Sequence, residues 1–224
     1  MASTATAGRR AMVAGATGLI GRRLIALLAD SGRYANIHAL VRRPLETGAP
    51  VVSQVVDFED LSQAAASIGP IDEAYCALGT TIRQAGSKPA FRRVDHDYVI
   101  AFGRLARELG ARCLLVVSSL GADPDAGSFY LRVKGETETE LEALDLPGLA
   151  LFRPSLLHGV RDEFRFGEEL GNAAMKVFAP LVPARYKAVS DRELASAMMQ
   201  VARDGVSGVR VIESEEIRRL GGAV

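Results

Sequence analysis

Two cysteines and three histidines are all that the 224-residue sequence offers to a disulfide framework or a transition-metal site. Cys76 and Cys113 each sit in an apolar run with no CxxC spacing, which favours reduced core thiols over a bridge or a zinc site. His38, His96 and His158 are far apart and no HExxH occurs, so no metal is expected. An excess of one charge is also missing. Lys plus Arg and Asp plus Glu both number 27, which leaves no basic field to attract nucleic acid or an anionic membrane. No apolar run approaches the roughly 20 residues of a membrane-spanning helix. The opening MASTATAGRR with AMVAGATGLIG has a superficial likeness to a signal peptide, but glycines punctuate it and Arg22 and Arg23 interrupt it. A soluble, cytoplasmic protein is expected, with residues 1–8 a loose tail.

What is present is a 48% hydrophobic chain of a length suited to one domain over residues 1–224. Arg10 to Ala14 is a short apolar run that feeds a glycine turn, after which Leu19, Leu24, Leu27 and Leu28 recur at helical spacing. Further apolar runs predict strands at Ile37 to Val41, Val51 to Val56, Ala74 to Leu78, Cys113 to Val117 and Leu149 to Phe152. Between them lie two amphipathic stripes, one through Val94, Tyr98, Phe102, Leu105 and Leu109, the other through Tyr130, Val133, Thr137, Leu141 and Leu144. A later helix from Asp191 to Ala202 opens on the capping-box pair Ser190 and Glu193. Strands alternating with helices imply an α/β Rossmann-type doubly wound parallel sheet, whose ligands bind at the carboxyl ends of the strands. About 70 residues follow the sixth run, enough for a small C-terminal cap on the substrate side and a small or poorly enclosed pocket.

Gly15-Ala16-Thr17-Gly18-Leu19-Ile20-Gly21 has GxxGxxG spacing between a predicted strand and a predicted helix. Glycines let the backbone turn tightly and approach a pyrophosphate, and the free amides of a helix start favour its charge. Plain loop chemistry is the alternative reading of three glycines in seven residues. At the end of the second strand, where a cofactor without a 2′-phosphate usually meets an acidic residue, stand Arg42 and Arg43. They suit a phosphate monoester, and hence NADP(H), or they are a solvated pair at a strand end. Asp57, after the third strand, is placed either to accept from an adenine amino group or to cap a helix.

Tyr130 and Lys134 are four apart on a predicted helix, so both lie on one face. An ammonium beside a phenol favours the phenolate and fits the tyrosine for proton transfer. The bland reading is a core-facing tyrosine with a snorkelling lysine.

The order GATGLIG, VRRP, LGTT, LLVVSSLGA, YLRVK and LFRPSLLHG resembles the short-chain dehydrogenase/reductase superfamily over nearly the whole chain. CALGTT, FRRVDHDYV, SSLGAD, FYLRVKGETE and FRPSLLHG look like its atypical branch of Tat-interacting-protein-like oxidoreductases, which bind NADPH. The resemblance implies that Ser119, rather than Ser118, holds a substrate carbonyl, that Tyr130 is the acid/base, and that Lys134 holds both Tyr130 and the nicotinamide ribose. It further implies that Leu78, Gly79 and Thr80 line the cofactor, that Pro154, Ser155 and Leu156 lie near the nicotinamide, and that Arg161 reaches the phosphates. In one respect the chain departs from the pattern. Many members carry asparagine, which supports a water-mediated proton relay, where VDHDY places Asp95.

The reading that follows is an NADP(H)-dependent oxidoreductase acting on a small carbonyl or alcohol, as a monomer or homodimer. Two alternatives stay open: an NADPH-binding redox sensor or scaffold without turnover, and an epimerase or dehydratase with tightly held cofactor.

Overall fold

The computed structural model describes residues 8–158 and 183–222. Seven strands form one parallel sheet: β1 (Arg9–Ala14), β2 (Tyr34–Val41), β3 (Val51–Val55), β4 (Glu73–Cys76), β5 (Cys113–Val117), β6 (Gly148–Arg153) and β9 (Gly208–Glu213). Their spatial order is β3-β2-β1-β4-β5-β6-β9. β7 (Leu157–His158) and β8 (Val189–Ser190) pair separately as a two-stranded ribbon.

Along β1, Ala11 and Val13 enter one core and Met12 and Ala14 the other; along β5, Cys113 and Leu115 divide from Leu114 and Val116 in the same way. A strand covered on both faces has no polar side, which is why these segments read as unbroken apolar runs. One face carries helices α5 (Tyr98–Glu108) and α6 (Phe129–Glu142), which contribute Phe102, Leu105 and Leu141. The other carries α1 (Leu19–Asp30) and α7 (Asp191–Asp204), which contribute Leu24, Leu28, Leu194 and Met198. The capping box of α7 is present: Ser190 Oγ accepts from the Glu193 amide at 3.1 Å, and the Glu193 carboxylate accepts from the Ser190 amide at 2.8 Å.

Three features differ from the sequence expectation. β4 stops at Cys76, so Leu78 belongs to the loop beyond it. Beyond the short helices α2 (Ala65–Ile68) and α3 (Ile82–Ala85), the helix expected through Val94 begins as α4 (Lys88–Arg92) and widens into a π turn at Arg93–Asp97 before α5. A seventh strand, β9, lies on the sheet edge beside β6 and leads into α8 (Ser214–Gly221).

At the amino end of β4, the fully buried Glu73 accepts hydrogen bonds from Arg9 at 2.6 Å, from Arg33, from Tyr34, and from Tyr75 at 3.0 Å. Burial, reinforced by this carboxylate, pushes both phenols above their ordinary pKa. The group is satisfied and lies at the sheet end opposite the glycine turn.

Candidate functional site

Sequence neighbours diverge in space on either side of β1, whose partners are β2 and β4. This reversal of strand order opens a crevice at the carboxyl ends, and the glycine turn closes its floor. Gly15 has φ +80°, and a Cβ there would lie 2.4 Å from the Ala77 carbonyl oxygen. A Cβ on Gly21 would lie 2.0 Å from Gly15 O, so this glycine lets the first turn of α1 press against the loop. Gly18 is different. Exposed at the N-cap with ordinary φ −75°, it would place a Cβ at 3.2 Å from Gly15 O and otherwise in open space.

The turn is held by Gly18 N–H donating to Gly15 O at 2.9 Å, and α1 begins with Arg22 N–H donating to Gly18 O at 3.1 Å. No side chain caps α1, and its first turn contains no acidic residue. The amides of Leu19, Ile20 and Gly21 therefore point without intrahelical acceptors toward the side where Thr17 and Gly18 are exposed. A pyrophosphate fits here: the donors are backbone, the dipole has the right sign, and Gly18 leaves the space a side chain would fill.

Arg42 and Arg43 follow β2 and are both exposed, and neither makes a hydrogen bond or ion pair among the described residues. Asp57 is exposed too, and its carboxylate accepts from the Glu59 amide at 2.9 Å, a turn contact that leaves one oxygen to spare. Beyond β4, Leu78 and Thr80 are half-buried and Gly79 is exposed on the other flank of the crevice.

α6 brings Tyr130 and Lys134 to the same side. Tyr130 is half-buried, its ring 5.5 Å from that of the fully buried Phe91. Lys134 is buried, and its Nζ lies 2.7 Å from Oδ1 of Asp95, itself 1% exposed. The other Asp95 oxygen accepts from the Thr80 amide at 2.8 Å, and the Asp95 main-chain oxygen lies 3.1 Å from the Thr137 hydroxyl, whose shorter contact is to Val133 O at 2.7 Å. Burial alone would drive the Lys134 ammonium toward neutrality. The Asp95 carboxylate, the neighbouring Tyr130 and the hydrogen bond to Asp95 outweigh it and hold the pKa above the ordinary lysine value. Burial pushes the adjacent Cys76 thiol up to about 12, so it stays protonated.

One turn on, Glu138 is buried against Arg153 at the end of β6, whose Nε donates to both carboxylate oxygens at 3.1 Å. Asp95, Lys134, Glu138 and Ser118 share the wall of one small cavity. Ser118 faces it with a buried hydroxyl that has no hydrogen-bond partner among the described residues. Ser119, which the resemblance favours, is also buried, and its hydroxyl makes one long contact of 3.5 Å to Leu120 O. Past β6, Pro154 O accepts from the Leu120 amide at 2.9 Å, Ser155 Oγ donates to Lys187 O at 2.8 Å, and Leu156 is 38% exposed. Arg161 lies outside the described residues. Spacing alone does not reveal the Asp95–Lys134 and Glu138–Arg153 pairs, since neither acidic residue stands in the amphipathic stripes and the partners are 39 and 15 positions apart.

A family model described as NAD(P)H-binding matches residues 15–163, from the first glycine of the turn to beyond β6. This chain belongs to that NAD(P)H-binding family. Among its relatives, "Protein FMP52, mitochondrial" of Eremothecium gossypii is 32% identical over 217 residues, covering 94% of this chain and 96% of that protein. "Protein HTATIP2" of Rattus norvegicus is 35% identical over 216 residues, covering 93% of this chain and 88% of that protein. The resemblance to the short-chain dehydrogenase/reductase superfamily therefore holds. Solved structures share the fold of this NAD(P)H-binding chain. "MoeE5 in complex with UDP-glucose and NAD" aligns at TM-score 0.68 and 18% identity over 93% of this chain and 79% of its own. A putative NAD-dependent epimerase/dehydratase from Bacillus halodurans aligns at 0.68 and 22% identity over 97% of this chain and 100% of its own. Among the described residues no helix is long and apolar enough to cross a membrane.

Proposed function

We propose that this NAD(P)H-binding protein is an NADP(H)-dependent oxidoreductase acting on a small carbonyl or alcohol. The observation that carries the reading is the placement of Tyr130 beside a buried, charged Lys134 at the carboxyl edge of the sheet that bears the glycine turn. Leu19, Ile20 and Gly21 would hold the pyrophosphate through their amides, together with Gly15, Thr17 and Gly18. Arg42 and Arg43 would read the 2′-phosphate, Asp57 would accept from the adenine, and Leu78, Gly79, Thr80, Pro154 and Leu156 would line the nicotinamide half; a phosphate contact from Arg161, which lies outside the described residues, rests on the family resemblance alone. When bound, the nicotinamide supplies or accepts the hydride. The chain does the rest: Ser119 orients the substrate oxygen, Tyr130 gives its proton in reduction or takes it in oxidation, and Lys134 fixes the tyrosine.

These solved structures are too distant, at 22% identity and below, to carry their chemistry to this chain. The compartment belongs to the proposal as well: cytoplasmic on sequence grounds, with the mitochondrial relatives making cell fractionation the test. The test of activity is a panel of aldehydes, ketones and alcohols followed at the NADPH absorbance, with NADH in parallel and the purified protein assayed for retained nucleotide. Turnover of a carbonyl with NADPH supports the reading. NADPH binding without any turnover overturns it in favour of a sensor, and a nucleotide that copurifies and cycles without net oxidation favours an epimerase.

A further inference from the structure

Each oxygen of the buried Asp95 carboxylate has a partner. Oδ1 meets Lys134 Nζ at 2.7 Å and Oδ2 takes the Thr80 amide at 2.8 Å. Its segment is the π turn Arg93–Asp97, an insertion into a helix of the kind that concentrates at functional sites. We propose that Asp95 is the fixed counter-ion of Lys134 and ties the lysine, through Thr80, to the loop that flanks the cofactor crevice, which makes Asp95 a positioning residue. Its part in turnover rests on the oxidoreductase reading; the ion pair itself is testable without it.

The alternatives around Lys134 are already committed. Glu138, on α6, is neutralised by Arg153 from β6, and Cys76, on β4, stays a thiol. Tyr130, on α6, is the group Lys134 serves. That leaves Asp95 as the carboxylate in direct contact with the ammonium among the described residues. An asparagine in its place keeps the shape and one acceptor but removes the charge, and a buried ammonium without a counter-ion gives up its proton far more readily. The contact at 2.7 Å also joins the two side chains directly, with no bridging molecule between those atoms. One ammonium proton goes to Asp95, and two remain for Tyr130 and a ribose hydroxyl. Because Asp95 also holds Thr80, a shift of the loop is transmitted to the position of those two donors.

The test uses the full chain carrying 15N-lysine, in which the Nζ signals of four lysines are resolved and Lys134 is assigned by its loss in Lys134→Arg. In the unaltered protein Lys134 is expected to remain an ammonium throughout the pH range in which the fold persists, with Nζ protons that exchange with water more slowly than those of the exposed Lys88. In Asp95→Asn, folded by circular dichroism, deprotonation should begin more than about one pH unit lower, and Asp95→Glu should restore most of the difference. Unchanged titration in folded Asp95→Asn overturns the proposal. If that variant does not fold, exchange at Lys134 as fast as at Lys88 in the unaltered protein overturns it. With a carbonyl substrate in hand, Asp95→Asn should lower kcat about tenfold or more with a smaller change in KM; an equal kcat removes the positioning role. Failure to find any substrate would count against the oxidoreductase reading and leave the lysine titration as it stands.

Discussion

Replacing Gly18 and Gly21 one at a time should separate binding from folding, although the two stand three residues apart in one motif. A Cβ on Gly21 falls 2.0 Å from Gly15 O, well over 1 Å inside ordinary contact, and the atom it meets is backbone. Gly21→Ala must push α1 away from the loop, an overpacking lesion of about 1–3 kcal/mol or more. Gly18→Val meets one atom at 3.2 Å, at a φ that any residue adopts, so the fold should tolerate it. Its side chain occupies the space over the first-turn amides, however. Losing two charge-assisted contacts to a pyrophosphate, each about 1.5–3 kcal/mol, weakens binding by at least about 10²-fold. The assay is a fluorescence titration with NADPH beside a urea melt of each protein. Undiminished NADPH affinity in folded Gly18→Val would refute the placement of the phosphate turn, and a Gly21→Ala protein as stable as the original would refute the packing argument.

Other consequences follow from the same geometry. NADPH should bind at least about tenfold more tightly than NADH, and Arg42→Ala with Arg43→Ala should close that gap, since contacts to a phosphate monoester are worth roughly 1.5–3 kcal/mol each; equal affinities in the unaltered protein would end the argument. Glu73→Gln should lower stability in a urea melt by about 1–3 kcal/mol, because it leaves arginine and tyrosine donors around a neutral amide, while cofactor affinity, at the opposite end of the sheet, stays the same. His38 is buried with neither ring nitrogen hydrogen-bonded among the described residues, and burial first, then Arg10, lowers its pKa below 6.5. The folded state then resists a proton that the unfolded state accepts, so stability is intact above about 6.5 and is lost as the pH falls below it. His38→Leu should flatten that slope in melts between pH 7 and 5, and an unchanged slope would remove His38 as its source.

The legible parts of the fold were those with a pattern that burial on both faces imposes. β5 and β6, and β1 from Ala11 onward, are apolar at nearly every position because helices cover each side of the sheet. β9 carries the opposite signature. Val209 and Val211 are 50% and 40% exposed and Arg210 stands between them, so an edge strand reads like a loop. The chemistry divides similarly. Tyr130 and Lys134 share a helix, where a spacing of four fixes their common face. Asp95 lies 39 positions before Lys134, and only the packing of the π turn against α6 brings them to 2.7 Å. The sequence marked Asp95 as a departure from a family pattern, and the tertiary contact gives that departure a physical meaning. Arg42 and Arg43 keep both of the readings the sequence allows, since both are exposed and neither makes a side-chain hydrogen bond or ion pair among the described residues.

Tyr130→Phe tests the central claim most directly, because it keeps the ring against Phe91 and deletes only the hydroxyl. Steady-state reduction of the best carbonyl in the panel, followed at the NADPH absorbance, should fall by roughly 10²–10⁴ with little change in NADPH affinity. Retention of more than about half the original rate in a folded Tyr130→Phe protein would place the proton donor elsewhere and contradict the account.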